Sequence, residues 1–398
     1  MPQNPLTTAS RWRSPWSAVR SMSLCVAMLI AAEFLPASLL TPMAADLGAT
    51  EGQTGQAISV SGLFAVVASL VITTAAGHLD RKRVLVAMTA LMLASLVAIA
   101  MAPNFGVLMV ARALLGISIG GFWSLATAVV MRLVPSAEVP RALAWMYTGQ
   151  AVAAAFAAPI GSYLGGWIGW RGVFWVLVPI VALDLLWQIV ALPALPARGR
   201  QSLATFAHLL RRPYFLRGLV AAMCIWGSAF SMFTYLRPFL EQVTGAGVPL
   251  LSLLFLVLGV AGFPGVWAAG KVVDRHVIRL LAVPPLVMGL VTLGLLAAGQ
   301  SAFLVGLLLA VWGAMNTAMS IIWMTWLARN VDDAPEEAGS LLVAAIQASI
   351  LLGAMLGGAL LDTGGISATF TGSVVLAGVA VALIGSGQRL VKPAPQQA

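Results

Sequence analysis

Apolar residues run in long stretches along this chain, separated by short breaks of polar residues, glycine and proline. A helix that crosses a membrane needs about 20 consecutive, mostly apolar residues, and these stretches have that length. The pattern predicts twelve transmembrane spans, numbered 1 to 12, at about residues 19–45, 54–76, 84–101, 106–131, 142–167, 172–193, 215–241, 249–270, 278–298, 302–327, 339–361 and 366–386. We therefore expect an all-α polytopic membrane protein.

The longest polar connector divides these spans into two groups of six. The predicted organisation is an N-terminal six-helix half at 1–197, a connector at 198–213 and a C-terminal half at 214–398. Internal repeats of this kind are typical of secondary transporters.

A short acidic and basic motif occurs once in each half. Asp80-Arg81 follows span 2 and Asp274-Arg275 follows span 8, with 194 positions between the two aspartates. Such an aspartate can cap a helix N-terminus or pair with arginines on a neighbouring helix. We expect these four residues to gate one face of the helix bundle.

The composition excludes a soluble enzyme. Hydrophobic residues make up 60% and charged residues 9%, against about 45–50% and 25% in soluble domains. Nineteen of the 22 lysines and arginines fall on one side of the membrane that the predicted spans define. Arg171 and Arg237 fall on the opposite side, and Arg112 lies within span 4. By the positive-inside rule both termini are cytoplasmic. The net charge of +9 therefore reflects orientation, and we expect no nucleic-acid partner.

The sequence contains no recognisable metal, cofactor or catalytic motif. Both cysteines lie within apolar stretches, and none of the three histidines has a second ligand at metal-binding spacing. Glycine-rich segments in spans 4, 5 and 11 lie inside apolar helices, where close helix packing is the expected role. A membrane-embedded enzyme is therefore an unsupported alternative.

Three ionisable residues fall at membrane depth. Glu33 stands thirteen residues from both Arg20 and Asp46, and an acid in mid-membrane is costly unless it is protonated or paired. Arg112 is similarly costly, so we predict that Glu33 and Arg112 form the proton-coupling site. Asp184 is also deep, with Gln188 one turn away; it could be a protonated hydrogen-bonding group or a second proton site.

Aromatic and amide side chains share one face of span 10. Trp312, Asn316, Ser320 and Trp323 recur at helical spacing. A flat purine requires a π surface to stack on and polar groups for its edge and ribose, and this face offers both. In span 4, Arg112, Gly116, Gly120 and Trp123 also share one face, which suits a cavity wall, although glycines alone more often indicate helix packing.

The motifs resemble those of the major facilitator superfamily, of the drug:proton antiporter type. The resemblance rests on the Asp-Arg motif after spans 2 and 8, Arg112-Ala-Leu-Leu-Gly116 in span 4, Ala158-Pro159-Ile160-Gly161 in span 5 and Gly169-Trp170-Arg171-Gly172 before span 6. The first loop is one residue short of the usual motif, and span 5 has Ala158 before its proline.

Within that superfamily, the chain is most similar to bacterial purine ribonucleoside efflux pumps. The similar segments are Ala32-Glu33-Phe34-Leu35-Pro36, Gly120-Gly121-Phe122-Trp123, Phe233-Thr234-Tyr235-Leu236-Arg237-Pro238, Trp323-Met324-Thr325-Trp326 and Glu337-Ala338-Gly339-Ser340 up to Gln347. The resemblance implies a proton-coupled antiporter in the bacterial inner membrane that exports nucleosides such as inosine by alternating access, functioning as a monomer without a cofactor. The residues expected to bind substrate are Phe34, Trp123, Tyr235, Asn316, Trp323 and Gln347. A sugar or broad-specificity drug exporter is the alternative within the superfamily, and a channel is a third possibility.

Overall fold

The computed structural model describes residues 14–75, 79–135, 138–196, 203–331 and 333–393 of the 398. These residues form helices and connecting turns, without a β-strand among them. The helices are α1 (Pro15–Ser38), α2 (Leu40–Leu47), α3 (Glu51–Ala75), α4 (Arg81–Ala100), α5 (Phe105–Leu133), α6 (Val139–Ala191), α7 (Leu203–Leu210), α8 (Pro213–Thr234), α9 (Leu236–Gln242), α10 (Val248–Val260), α11 (Gly262–Leu280), α12 (Val283–Ala298), α13 (Ala302–Asn330) and α14 (Pro335–Ile384).

Twelve spans are consistent with these helices. Nine helical segments in the described part of the chain are long and apolar enough to cross a membrane, and two of them contain 51 and 48 residues. Each of these two is divided by a glycine with positive φ, Gly169 at 70° and Gly365 at 72°, a conformation that side chains other than glycine rarely adopt. They therefore supply spans 5 and 6 and spans 11 and 12, and α3 supplies span 2.

Spans 1 and 7 are interrupted at corresponding positions. The helix of span 1 breaks at Leu39 between α1 and α2, and that of span 7 breaks at Tyr235 between α8 and α9. The 196 positions between the two breaks are close to the spacing of the Asp-Arg motifs. The two halves thus repeat in their local structure as well as in sequence.

The second Asp-Arg motif lies in a helix rather than in the expected loop. α11 continues from Gly262 to Leu280, and only His276 departs from helical geometry, with φ −133°. Residues 271–275 contain no proline or glycine that would end a helix. The first motif follows residues 76–78, which lie outside the described residues.

Glycines bring equivalent pairs of spans into close contact in the two halves. A Cβ atom on Gly116 or Gly120 of span 4 would collide with the carbonyl oxygens of Ser61 or Ala65 in span 2. In the second half, a Cβ atom on Gly313 of span 10 would collide with the carbonyl oxygen of Leu258 in span 8. The glycines of span 4 therefore serve backbone-to-backbone packing.

Glycines also bring spans 1 and 5 of the first half, and spans 7 and 11 of the second half, into close contact. Gly149 of span 5 packs on the carbonyl group of Ser23 in span 1, and Gly353 of span 11 packs on that of Gly227 in span 7. Spans 1 and 5 thus correspond to spans 7 and 11.

The chain forms two compact units. One contains residues 1–35 and 60–201, and the other contains residues 36–59 and 202–398. The end of span 1 and the start of span 2 therefore pack with the C-terminal part of the chain. The assignment of residues 1–197 and 214–398 to two moving halves stays a prediction.

We expect Gly120→Ala to destabilise the protein by about 1–3 kcal/mol, because the added methyl group has no room against span 2. The unfolding temperature in detergent measures this effect. Gly378→Ala is the matched control, since Gly378 lies in a helix with no atom near its missing Cβ, and alanine favours helix. Equal unfolding temperatures for Gly120→Ala and the wild type would contradict the packing role.

Candidate functional site

Glu33 and Arg112 lie together in the interior of the first unit. Glu33 of α1 is 5% exposed and Arg112 of α5 is fully buried. The Nη1 atom of Arg112 donates a hydrogen bond of 2.8 Å to the carbonyl oxygen of Ala32, and Glu33 interacts electrostatically with the guanidinium group. The structure thus brings the two predicted coupling residues together, with their opposite charges on neighbouring helices.

The backbone around Arg112 is fixed by span 2. The hydroxyl group of Ser61 donates a hydrogen bond of 2.8 Å to the carbonyl oxygen of Arg112. One turn further along α5, Gly116 packs against the backbone carbonyl group of the same serine, Ser61. This close contact determines the depth at which the guanidinium group meets span 1.

The other two candidates in this unit are only partly buried. Phe34 follows Glu33 in α1, and Trp123 lies on α5. The Trp123 ring stacks on Tyr147 with 6.0 Å between ring centroids and 23° between ring planes. Trp123 and Tyr147 together therefore form one partly buried aromatic surface.

In the second unit, aromatic side chains of spans 7 and 10 form two groups. Trp312 stacks on Phe233, with centroids 6.4 Å apart and planes at 10°. Eleven residues along α13, Trp323 meets Trp226 edge-on at 6.2 Å. Asn316, half-buried, lies on α13 between the two tryptophans.

Trp323 is covered by other rings. Its side chain is fully buried, and Trp326 also packs edge-on against it at 5.3 Å. Its indole Nε1 is a buried donor with no hydrogen-bond partner in the described part of the chain. A buried donor of this kind costs free energy unless another molecule accepts its hydrogen bond. The distinctive feature of Trp323 is therefore this N–H group, because its ring faces are occupied by the protein.

The buried hydroxyl groups of Ser231 and Thr234 in α8 share this property. Neither has a hydrogen-bond partner among the described residues, and both are fully buried. Neither was predicted as a site residue, because small hydroxyl residues in helices usually bond to the preceding turn and show no periodic pattern in the sequence.

Tyr235 occupies a narrow space lined by glycines. Its side chain is fully buried, and its hydroxyl group donates a hydrogen bond of 2.8 Å to the carbonyl oxygen of Ala354. A Cβ atom on Gly55 of α3 or Gly357 of α14 would collide with the ring. Tyr235 thus joins spans 2, 7 and 11. Gln347, the remaining candidate, is half-buried on α14, two turns before Ala354.

Five polar side chains form a cluster that we call the carboxyl cluster: Thr41, Glu51, Arg237, Glu241 and Gln242. The Nε atom of Arg237 forms an ion pair of 2.8 Å with Glu241. The Thr41 hydroxyl lies 2.6 Å from a carboxylate oxygen of Glu241 and 3.0 Å from one of Glu51. Gln242 donates to the other Glu51 oxygen at 3.2 Å.

One hydroxyl hydrogen cannot serve two carboxylates. If the Thr41 hydroxyl donates to Glu241, it can only accept from Glu51, so that geometry requires a proton on Glu51. Burial, above all, and the neighbouring Glu241 raise the pKa of Glu51 above its ordinary value, although the hydrogen bonds with Thr41 and Gln242 act to lower it. No sequence pattern predicts this cluster, because Thr41 and Glu51 lie about 190 to 200 positions before Arg237 and Glu241.

Asp80 caps a helix. It precedes α4 and accepts a hydrogen bond of 2.8 Å from the backbone N–H of Lys82. It also accepts from the N–H of Leu195, after span 6, at 3.0 Å, while the N–H of Arg81 donates to the Leu195 carbonyl oxygen at 2.9 Å. Asp80 and Arg81 thus join the start of span 3 to the end of span 6.

The second pair of predicted gating residues lies on α11. Arg275 is exposed, and the side chain of Asp274 lies outside the described residues.

Comparison with known proteins gives consistent matches over most of the chain. The sequence model of the Major Facilitator Superfamily matches residues 22–342. A Pseudomonas aeruginosa protein named transcription regulatory protein OpdE is 46% identical over 365 residues, covering 91% of each chain. The purine ribonucleoside efflux pump NepI of Salmonella paratyphi B is 38% identical over 354 residues, covering 89% of each chain.

Solved structures of low sequence identity share the fold. A bacterial homologue of the human lysosomal transporter Spinster, in an inward-facing conformation, superimposes with a TM-score of 0.74 at 15% identity, covering 96% of this chain and 99% of that one. The nucleoside transporter NupG superimposes with a TM-score of 0.71 at 15% identity, covering 91% and 98%.

The family match spans most of the chain, two relatives exceed 30% identity over nearly their whole length, and the helical architecture agrees with both. The chain belongs to the Major Facilitator Superfamily and is a multi-pass membrane transporter, not an enzyme.

Proposed function

We propose that this transporter exports purine ribonucleosides in exchange for protons across the bacterial inner membrane. The observation that carries the proposal is the 38% identity to a purine ribonucleoside efflux pump over 89% of both chains. The buried pair of Glu33 and Arg112 provides a group that can bind and release a proton. A sugar or broad-specificity drug exporter is the alternative within the family.

The relative named as a transcription regulatory protein suggests a second, compatible function. A transporter alters transcription when it changes the internal concentration of a metabolite that a regulator senses. We propose that any regulatory effect of this chain follows from transport, so a variant that folds but does not transport should lose it as well.

Orientation follows from the distribution of cations. The positive-inside rule places both termini and the 198–213 connector in the cytoplasm. The carboxyl cluster then lies at the outer end of spans 1, 2 and 7, and Asp80 and Arg81 lie at the inner end. In this proposal the monomer works by alternating access, with residues 1–197 and 214–398 moving about a central site and the Asp-Arg motifs gating its inner end.

Proton coupling rests on competing influences at Glu33. An apolar environment favours the neutral carboxyl group, while a nearby guanidinium group favours the carboxylate. A carboxyl group that is alternately closer to Arg112 and more exposed can therefore release and bind a proton during the cycle. Exchange of one proton for one neutral nucleoside moves one positive charge inward.

In this proposal six side chains recognise the substrate: Phe34, Trp123, Tyr235, Asn316, Trp323 and Gln347. The partly buried rings of Phe34 and Trp123 offer stacking surfaces, and Asn316 and Gln347 offer donors and acceptors for the base edge and ribose. The free N–H of Trp323 suits an acceptor atom of the base.

The proposed substrate is tested by a panel of solutes in proteoliposomes. Inosine, adenosine or guanosine should support saturable counterflow, whereas arabinose and a lipophilic cation should not. Counterflow with arabinose or the cation, and none with the nucleosides, would instead establish the alternative exporter. Conduction without counterflow would indicate a channel.

Glu33→Gln should abolish uphill export driven by a pH gradient but preserve inosine-for-inosine exchange, since glutamine keeps the side-chain shape and cannot release a proton. Both rates are measured in the same proteoliposomes. Asp184→Asn, a second acid-to-amide change at membrane depth, is the control and should retain uphill export. If Glu33→Gln exports at the wild-type rate under the gradient, another group couples the proton.

Trp323→Phe should weaken inosine binding by about tenfold, because a lost hydrogen bond to a ligand is worth about 1.4 kcal/mol or more. Its unfolding temperature should fall less than that of Trp326→Phe, since both variants lose buried ring volume but Trp323→Phe also removes an unpartnered buried donor. Trp326→Phe is the matched control: its indole N–H donates to the Leu390 carbonyl oxygen at 2.9 Å, so stability should fall while affinity holds. Unaltered inosine affinity in Trp323→Phe would remove this N–H from the site.

Glu51→Gln should stabilise the protein at neutral pH. A folded-state pKa above the unfolded value means that folding loses stability as pH rises through and beyond the ordinary pKa of about 4.3, and glutamine avoids that loss. The difference in unfolding temperature should disappear at acidic pH. Glu241→Gln should do the opposite at neutral pH, because it leaves Arg237 without its carboxylate. A loss of stability in both variants would contradict a protonated Glu51.

A further inference from the structure

Asp184 lies in the interior of the first unit, on a different span from Glu33 and Arg112. It belongs to span 6 and is fully buried. Its Oδ2 atom accepts a hydrogen bond of 3.0 Å from the side-chain amide of Gln188. Its Oδ1 atom, also buried, has no hydrogen-bond partner in the part of the chain that the structure describes.

The groups around Asp184 come from three spans. Gln188 of span 6 accepts a hydrogen bond of 3.0 Å from the hydroxyl group of Thr89 in span 3. This hydroxyl lies 3.4 Å from the sulfur atom of Cys25 in span 1, and the Cys25 thiol lies beside the Asp184 carboxyl group. Cys25, Thr89 and Gln188 are all fully buried.

None of these neighbours carries a positive charge. Cys25 is the titratable group that faces Asp184, Thr89 is the polar group from span 3, and among the described residues the groups that act on the Asp184 carboxyl are Gln188 and Cys25. A buried carboxylate without a cation is strongly unfavourable. A neutral carboxyl group avoids that cost and adds one hydrogen-bond donor.

A line of hydrogen bonds runs through these side chains. The Cys25 thiol can donate to Thr89, Thr89 donates to Gln188, and Gln188 donates to Oδ2 of Asp184. The Thr89 hydroxyl also lies 3.1 Å from the carbonyl oxygen of Leu85, one turn earlier in span 3. A proton on Oδ1 of Asp184 would leave a neutral carboxyl group at the end of this line, which joins spans 1, 3 and 6.

We propose that Asp184 binds a proton and keeps it throughout the transport cycle, as the neutral end of this line of hydrogen bonds. Its function is to fix span 6 to span 3, and through Thr89 to span 1, with no net charge. This differs from the role proposed for Glu33, which lies beside the cationic Arg112 and exchanges its proton. The proposal rests on burial and contacts within one unit and does not depend on the identity of the substrate.

The protonation state is tested directly by infrared spectroscopy of the purified protein at neutral pH. The difference spectrum between the wild type and Asp184→Asn should contain the carbonyl band of a protonated carboxylic acid. A carboxylate band in its place would overturn the proposal. This readout detects the proton itself, whether or not either protein transports nucleosides.

The structural role is tested by thiol labelling and thermal unfolding in a Cys224→Ser background, where Cys25 is the remaining cysteine. Asp184→Asn keeps a neutral side chain of the same shape, so Cys25 should stay unreactive to N-ethylmaleimide and the unfolding temperature should be preserved. Asp184→Leu removes the acceptor of the Gln188 amide, so the unfolding temperature should fall and Cys25 should become reactive. Equal behaviour of Asp184→Leu and the wild type would contradict the structural role.

Transport by Asp184→Asn separates a fixed proton from an exchanged one. With a fixed proton, uphill export under a pH gradient and nucleoside exchange both persist. If this variant keeps exchange but loses uphill export, Asp184 releases its proton during the cycle and the proposal is wrong. If Glu33→Gln keeps uphill export under the pH gradient, the proposed role of Glu33 fails. The infrared and labelling results for Asp184 still stand in that case.

Discussion

The cost of an unbalanced charge in an apolar interior governs this structure. Only 9% of the residues are charged, most of them in connectors, and the few that enter the membrane require a specific solution. Arg112 lies beside Glu33, so the two charges are buried together. Asp184 has an amide and a thiol as neighbours, which suits a neutral acid. In the proposed mechanism, these different surroundings separate a carboxyl group that exchanges its proton from one that holds it.

Close packing of helix backbones makes these electrostatic arrangements possible. Gly116 and Gly120 bring spans 2 and 4 together at the level of Arg112, so the position of its side chain is determined by backbone contacts rather than by flexible side chains. Equivalent glycine contacts recur between spans 8 and 10. The two halves therefore share a packing plan, although the buried Glu33 and Arg112 occur in the first unit and the tryptophan groups in the second.

Much of this architecture is predictable from the sequence, because long apolar runs and the cost of buried polar backbone leave few alternatives to membrane helices. The expected breaks between spans 5 and 6 and between spans 11 and 12 occur at Gly169 and Gly365. Hydropathy could not predict the helical continuation through Asp274, since it does not distinguish a polar helix from a polar loop. Nor could it place residues 36–59 with the second unit, which depends on tertiary contacts.

The candidate site was predictable only in part. Glu33 and Arg112 stand out because charged residues are rare at membrane depth, and the structure brings them together. Helical spacing puts Trp312, Asn316 and Trp323 on one face but does not reveal that Trp226 and Trp326 cover the Trp323 ring. Thr41 contacts both Glu51 and Glu241, and 200 positions separate Thr41 from Glu241. Sequence periodicity carries no information over that separation.

The most direct test of the account is inosine transport by the wild-type protein in proteoliposomes with an imposed pH gradient, acidic inside. Proton-coupled antiport predicts that labelled inosine accumulates inside above its external concentration, and that a protonophore abolishes the accumulation. Equilibration of inosine to equal concentrations on both sides, unaffected by the gradient, would contradict proton-coupled export.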